Sequence, residues 1–162
     1  MVHFTWPHLY CFRPNLLGIS KYAADYKKLN LAWIEKYFVV EAHDIEQLDD
    51  PEMYIINKGG QILFAKFEGK IVGTCALIKT GDDEYELAKM AVAEDMRGKQ
   101  IGKLIGQAVI EQARKARAKR VWLESNRILT TALNLYTKLG FVEVPITSTP
   151  YARADIRMEI WL

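Results

Sequence analysis

Residues 90–106, MAVAEDMRGKQIGKLIG, narrow most sharply what this chain can fold into. An alternating apolar run, EYELAKMAVA (84–93), has the period of a β-strand and is cut by EDMRG (94–98). Ile101, Leu104, Ile105, Ala108, Val109, Ala113 and Ala116 then recur at close to helical spacing and mark a buried helix face. The order is therefore strand, glycine-bearing loop, helix. Bare backbone at a helix start lets amide N–H groups approach a ligand, and the helix dipole favours an anion there. Arg97, Lys99 and Lys103 add positive charge around Gly98 and Gly102. A pyrophosphate suits such a place; a glycine turn carrying solvated charges is the plainer alternative. Two nucleotide-binding motifs fail. A P-loop needs four residues between its glycines and then Lys and Ser/Thr, whereas three separate Gly98 from Gly102 and Leu104 follows Lys103. The dinucleotide fingerprint GxGxxG after a first strand is missing too.

The rest of the chain extends the alternation of elements. LYCFRPN (9–15) reads as a first strand, and 18–38 as a helix with Ile19, Tyr22, Ala23, Tyr26, Leu29, Ile34 and Phe38 on its apolar face. HDIEQLDDPE (43–52) is a short helix ended by Pro51. QILFAKFE (61–68) and IVGTCALIK (71–79) are strands joined by a hairpin turn at Gly69-Lys70. RVWLES (120–125) is a strand, TTALNLYTKLG (130–140) a helix stopped by Gly140, and FVEVPI (141–146) and ADIRMEIWL (154–162) are closing strands. The expected class is α/β, of the mixed α+β kind. It is a single domain over 1–162 whose central, mostly antiparallel sheet has about six to seven strands flanked by about four helices.

Composition excludes more than it selects. With 22 basic and 20 acidic residues the net charge is +2, which argues against a general nucleic-acid binder, although RKARAKR (114–120) closes a helix with cations. Cys11 and Cys75 are far apart and form no CxxC, and His3, His8 and His43 are not at ligand spacing, so neither a disulfide framework nor a metal site is expected. No apolar run has the length of a membrane span, and MVHFTWPHLY (1–10) is not built like a signal peptide; a cytoplasmic protein without a membrane partner is the default expectation.

ELAKMAV, RGKQIGKL, VWLESN and ALNLYTKLGF, in this order, resemble the GNAT superfamily of N-acetyltransferases. The loop from Arg97 to Gly102 corresponds to that family's acetyl-CoA signature, Gln/Arg-x-x-Gly-x-Gly/Ala, with Gln100 standing where the family usually has glycine. A side chain there could crowd the pyrophosphate, or point away while its amide still donates. The resemblance implies acetyl-CoA as co-substrate, with no metal, lying between two splayed parallel strands, 84–93 and 120–125. Met90, Ala91 and Val92 would contact pantetheine and thioester, the Met90 amide polarising the carbonyl. Arg97, Gly98, Lys99, Gln100, Ile101, Gly102 and Lys103 would hold the pyrophosphate. Read plainly, KMAV is simply core strand, and both readings can hold because backbone binding leaves side chains free to pack.

By the same resemblance Tyr136 would protonate the departing thiolate; without it, Tyr136 reads as a buried aromatic on an amphipathic helix. The acceptor amine arrives protonated and needs a base. Glu86, six residues before Val92, and Glu124, ending VWLES, are the two candidates. Asn126 would bond pantetheine or cap the next helix. Arg153 and Asp155 would line the acceptor pocket or pair with each other at the sheet edge. The aromatics Tyr22, Tyr26, Trp33, Tyr37 and Phe38 fall in the region that shapes the acceptor site. Cys75, mid-strand in VGTCAL, reads as a small buried residue and not as a nucleophile. The expected activity is direct transfer of acetyl to a primary amine, on a small molecule or a peptide. A catalytically idle acetyl-CoA sensor or scaffold is the alternative. The family's habit of pairing through the last strands leaves a homodimer open.

Overall fold

Strand β1 (Leu9–Phe12) and helix α1 (Ile19–Tyr37) lead into two short helices, α2 (Ala42–Asp49) and α3 (Pro51–Tyr54). The computed structural model describes residues 8–15 and 18–162, so His3 and most of the N-terminal decapeptide lie outside it. The chain continues through β2 (Gln61–Phe67), β3 (Lys70–Lys79), β4 (Glu84–Val92), α4 (Ile101–Lys115), β5 (Arg120–Ser125), α5 (Thr130–Leu139), β6 (Val142–Val144) and β7 (Ile156–Trp161). Seven strands form one sheet in the order β1-β2-β3-β4-β5-β7-β6. Every neighbouring pair is antiparallel except β4 and β5. The expected mixed, mostly antiparallel sheet is present, with α3 as a helix beyond the expected four.

Two expected boundaries move for local reasons. Pro51 starts a helix instead of ending one: it takes the first turn of α3, where no N–H is needed, and Asp50 Oδ1 accepts the Met53 amide at 2.9 Å. The β2–β3 turn falls on Glu68 and Gly69, both at positive φ (48° and 80°), so Lys70 already pairs with Phe67. Two consecutive left-handed residues are what a tight hairpin turn requires. The closing strands β6 and β7 are also shorter than the sequence pattern suggests.

Side-chain alternation divides the strands between two cores. Ile62, Phe64, Ala76 and Ile78 pack with Ile19, Tyr26 and Ile34 of α1 and with Leu48 and Ile55 beyond it. Leu63, Ala65, Cys75, Leu77, Tyr85 and Leu87 face the other way, against Ile101, Ile105, Val109 and Ala113 of α4 and Tyr136 of α5. The sheet is thus the middle layer, with α1–α3 on one side and α4–α5 on the other. Covered on both faces, β3 is buried almost throughout, which explains its near-continuous apolar sequence.

Helix α5 is set against α4 by two glycines one turn apart. A Cβ on Gly102 would stand 3.2 Å from Leu135, and one on Gly106 would stand 2.4 Å from Leu139. Leu135 and Leu139 are themselves one turn apart, so two leucines of α5 seat in two gaps of α4. This close approach fixes where α5 carries Tyr136.

Candidate active site

Strands β4 and β5 pair only from Glu84–Arg120 to Glu86–Trp122. Beyond that point β4 runs on to Val92 and β5 to Ser125 without pairing to each other, so the two parallel strands part. Glu86 is the last residue of β4 paired to β5 and sits where they part.

Strand β4 carries a bulge on the far side of Glu86. Thr74 pairs with Ala91 and Ala76 with Ala88, so Cys75 alone faces both Lys89 and Met90. Lys89 has φ 51°, left-handed for a residue with a side chain. An extra residue breaks the strand's alternation. Ala88 packs toward the α1–α3 layer, Lys89 reaches Asp44 of α2, and Met90 and Val92 return to the α4–α5 core. Ala91 is buried, and Met90 and Val92 are half-buried.

The loop that precedes α4 is open. Arg97, Gly98, Gln100 and Lys103 are exposed, while Ile101 is buried in the core, which leaves only its backbone for a ligand. Lys99 Nζ lies 3.7 Å from Met96 Sδ. Gly98 has φ 76° with no atom within 4 Å of where its Cβ would stand, so backbone geometry is what asks for glycine there. Gln100 is the N-cap of α4 at φ 60°, makes no side-chain cap, and has no acidic residue in the turn after it. Left-handed geometry costs a residue with a Cβ about 1 kcal/mol or more. That is a physical reason for glycine to be usual at this position, and it makes Gln100 a strained but accommodated exception.

The candidate proton-transfer groups lie on opposite faces of the sheet. Glu86 pairs across to Ile78 and so faces the α1–α3 layer, while Tyr136 lies in the α4–α5 core. Among the described residues no hydrogen bond or ion pair engages the Glu86 side chain, and burial pushes its carboxyl up to about 7. Glu124 adds to that rise, and Lys89 and Arg157 oppose it. Glu124 is differently placed. Its side chain is 3% exposed, Arg157 Nη2 donates to Oε1 at 2.7 Å, and Thr149 donates to Oε2, so both oxygens are occupied. The Tyr136 ring meets Phe141 edge-on at 6.0 Å. Its hydroxyl has no partner among the described residues, and burial raises its pKa well above the usual tyrosine value.

Other expectations are sorted by the same contacts. Asn126 does not cap α5, whose N-cap is Leu129. Its Nδ2 donates to the Arg153 carbonyl at 2.7 Å and its Oδ1 accepts the Ile128 amide. Arg153 and Asp155 do not pair with each other. Arg153 forks onto Asp44 with two bonds of 2.7 Å and reaches Glu41 at 3.0 Å, while Asp155 accepts the Arg127 amide. Opposite charge within reach but buried outcompetes the near neighbour in sequence. Cys75 is fully buried and its thiol is pushed far up by burial, against the thiolate a nucleophile needs.

Sequence reasoning missed a buried ionic cluster beside Glu86. Asp44 of α2 is fully buried and receives Arg153, Lys89 Nζ at 3.0 Å and the Glu41 amide. Burial alone would raise the Asp44 carboxyl, but Arg153, Lys89 and the Glu41 amide outweigh it and hold the group at about 2. Lys89 Nζ also donates to Tyr151 Oη at 2.7 Å. The side chains paired here are 45 to 109 residues apart, and no local pattern could have paired them. The nearest signal was the Glu41–Asp44 capping box at the start of α2.

Comparison with known proteins bears on this geometry at one decisive point. The sequence profile of the acetyltransferase (GNAT) family matches residues 16–141, well over half of the chain. The chain belongs to the GNAT family. Among its GNAT relatives are a probable N-acetyltransferase camello of Xenopus tropicalis (33% identical over 107 residues, 65% of this chain and 49% of that protein) and the N-acetylaspartate synthetase of Mus musculus (32% identical over 135 residues, 82% and 43%). The chain is also 30% identical over 116 residues to the uncharacterized N-acetyltransferase YjgM of Escherichia coli, covering 68% of this chain and 70% of that one. The chain spans about half the length of the first of these relatives. GNAT structures share the fold. An acetyltransferase from Streptococcus agalactiae superposes with TM-score 0.82 at 19% identity, covering 97% of this chain and 100% of that one. A Bacillus subtilis acetyltransferase in complex with CoA gives 0.69 at 19%, covering 95% and 99%. Among the described residues no group of His, Cys, Asp and Glu is placed to hold a metal, and no helix is long and apolar enough to cross a membrane.

Proposed function

We propose that this chain is an N-acyltransferase, one domain over 1–162, that moves an acetyl group from acetyl-CoA to a primary amine by direct transfer in a ternary complex. The observation that carries the reading is Glu86, an unpaired carboxyl with a pKa of about 7 at the point where β4 and β5 part. A general base working near neutral pH needs that proton affinity and access to the amine. Lys89 links it to an ionic cluster in which Glu41, Asp44 and Glu124 stand against the cations Lys89, Arg153 and Arg157. With Glu86 ionised the cluster is one positive charge short, which an arriving ammonium supplies.

The residues divide the work as follows. Glu86 takes a proton from the ammonium, freeing the lone pair that forms the new C–N bond. The Met90 amide donates to the carbonyl oxygen as negative charge gathers there. Tyr136 gives its proton to the sulfur as the C–S bond breaks, and a proton from the acylated nitrogen restores the phenol. The raised pKa of Tyr136 keeps it protonated until that moment. Glu124, with both oxygens engaged, is the weaker candidate for base and serves to hold Arg157 and Thr149. Ala91 and Val92 offer backbone to the pantetheine along the unpaired part of β4, with Asn126 at the opposite rim. The amides and charges from Arg97 to Lys103 receive the pyrophosphate at the uncapped start of α4. The residues present fit this coenzyme; the fit asks for no metal.

The relatives include probable and uncharacterized N-acetyltransferases and an N-acetylaspartate synthetase, and they favour the same reaction class here. Titration calorimetry with acetyl-CoA tests the proposal, with ATP and desulfo-coenzyme A as controls. One-to-one binding of acetyl-CoA and desulfo-coenzyme A, with ATP ignored, is the expected result. No binding would mean that Gln100 closes the pyrophosphate site and would leave only the fold.

A further inference from the structure

We propose that Lys89 is a positioning residue for the transfer, tying the bulge of β4 to α2 and to the β6–β7 connection so that Met90 and Glu86, on either side of it, keep their places. The inference rests on the roles given above to those two residues. Lys89 is the one member of the bulge whose side chain turns into the ionic cluster. It is 7% exposed, and its ammonium is gripped by a carboxylate and a phenol from two other elements. A left-handed residue inside a strand persists only when its surroundings over-determine it. Here the surroundings are these two contacts.

The grip extends through the segment between β6 and β7, residues 145–155. Thr149 holds Glu124 and accepts the Tyr151 amide, and Tyr151 Oη takes Lys89. The Ala152 amide and Arg153 reach Glu41, Arg153 forks onto Asp44, and the Arg153 carbonyl receives Asn126. The segment therefore crosses from β5 to α2 and fastens Lys89 on the way. Groups facing Glu86 come from every element around it: Tyr26 of α1, Lys89 of β4, Glu124 of β5, Arg157 of β7 and Tyr151 of the connection. Lys89 and Arg157 are the cations among them. Arg157 is bonded to Glu124 and stacked 4.3 Å above Trp122, which leaves Lys89 as the cation on Glu86's own strand.

Two roles are thus joined in one side chain: fixing the backbone that presents Met90, and favouring the ionised form of Glu86. Carboxyl titration of the 13C-glutamate-labelled protein by NMR, with Glu86 assigned from Glu86→Gln, tests this without needing turnover. Lys89→Met is expected to move the Glu86 midpoint upward by about one pH unit. It is also expected to lower kcat at least tenfold, with a smaller loss of acetyl-CoA affinity because the 97–103 loop is untouched. Lys89→Arg, keeping the charge, should restore most of the midpoint. Lys89→Gln carries the same test if the methionine variant does not fold. A Glu86 midpoint that stays in place in both neutral variants overturns the proposal, whatever happens to the rate. Full activity in Glu86→Gln would instead overturn the reading of Glu86 as base, and the NMR midpoint would still judge Lys89.

Discussion

At the scale of single residues, the proposed chemistry falls to groups that have no hydrogen-bond partner among the described residues, Glu86 and Tyr136. Glu86 has a raised folded-state pKa, about 7 against an ordinary 4.5, so the folded protein binds its proton more tightly than the unfolded chain does. Its contribution to stability is complete below about pH 4.5 and is lost as pH rises through 7. Glu86→Gln is therefore expected to abolish most turnover and yet to gain stability over wild type at pH 8, by up to about 3 kcal/mol, with little gain at pH 4. Urea denaturation at the two pH values reads the difference. Tyr136→Phe removes a hydroxyl that has no partner among the described residues, so melting should change little while kcat falls by about a hundredfold. Gln100→Gly relieves the left-handed N-cap of α4 and should raise stability by up to about 1 kcal/mol, whereas Gln100→Val should lower it. A thermal melt of both variants checks the sign.

Elements carry these residues into place. Gly106 leaves room for Leu139, and a methyl group there would stand 2.4 Å from its Cδ1. Gly106→Ala should cost about 1–3 kcal/mol by pushing α5 off α4, and should lower kcat further by moving Tyr136. Denaturant midpoints together with steady-state rates test both parts. The long elements were legible in the sequence because each obeys one period over many residues: β4 alternates from Glu84 to Ala88, and α4 repeats its apolar face from Ile101 to Ala113. The start of α3 was not legible, because a proline that ends one helix and one that opens the next look alike until Asp50 is seen to cap. The bulge at Lys89 was hidden as well. One extra residue in an apolar strand leaves no mark in composition, and only the register with β3 reveals it. The candidate coenzyme loop and both candidate carboxylates were named from sequence, but not the difference between them. That difference arises from Arg157 and Thr149, which reach Glu124 across 33 and 25 residues. Of the two alternatives for Arg153, the pairing with Asp155 fails for the same reason: Asp44 lies 109 residues away.

On the scale of the whole molecule, the sheet is a frame whose one parallel junction is left open. Helices α1–α3 and the 145–155 segment close one face around Glu86, and α4 and α5 close the other around Tyr136. Acid should dismantle this frame through Asp44. Its folded pKa of about 2 lies below the ordinary carboxylate value of 3.8, so the stability it supplies is present above 3.8 and is lost as pH falls toward 2. Release of free coenzyme A thiol from acetyl-CoA in the presence of primary amines, followed from pH 5.5 to 9, is the most direct test of acetyl transfer with Glu86 as base. Amine-dependent thiol release is expected, with kcat/KM rising through a midpoint near 7, and this rise should disappear in Glu86→Gln. Binding of acetyl-CoA with no amine-dependent release at any pH would contradict it, and would make the chain a coenzyme-binding module with an idle cleft.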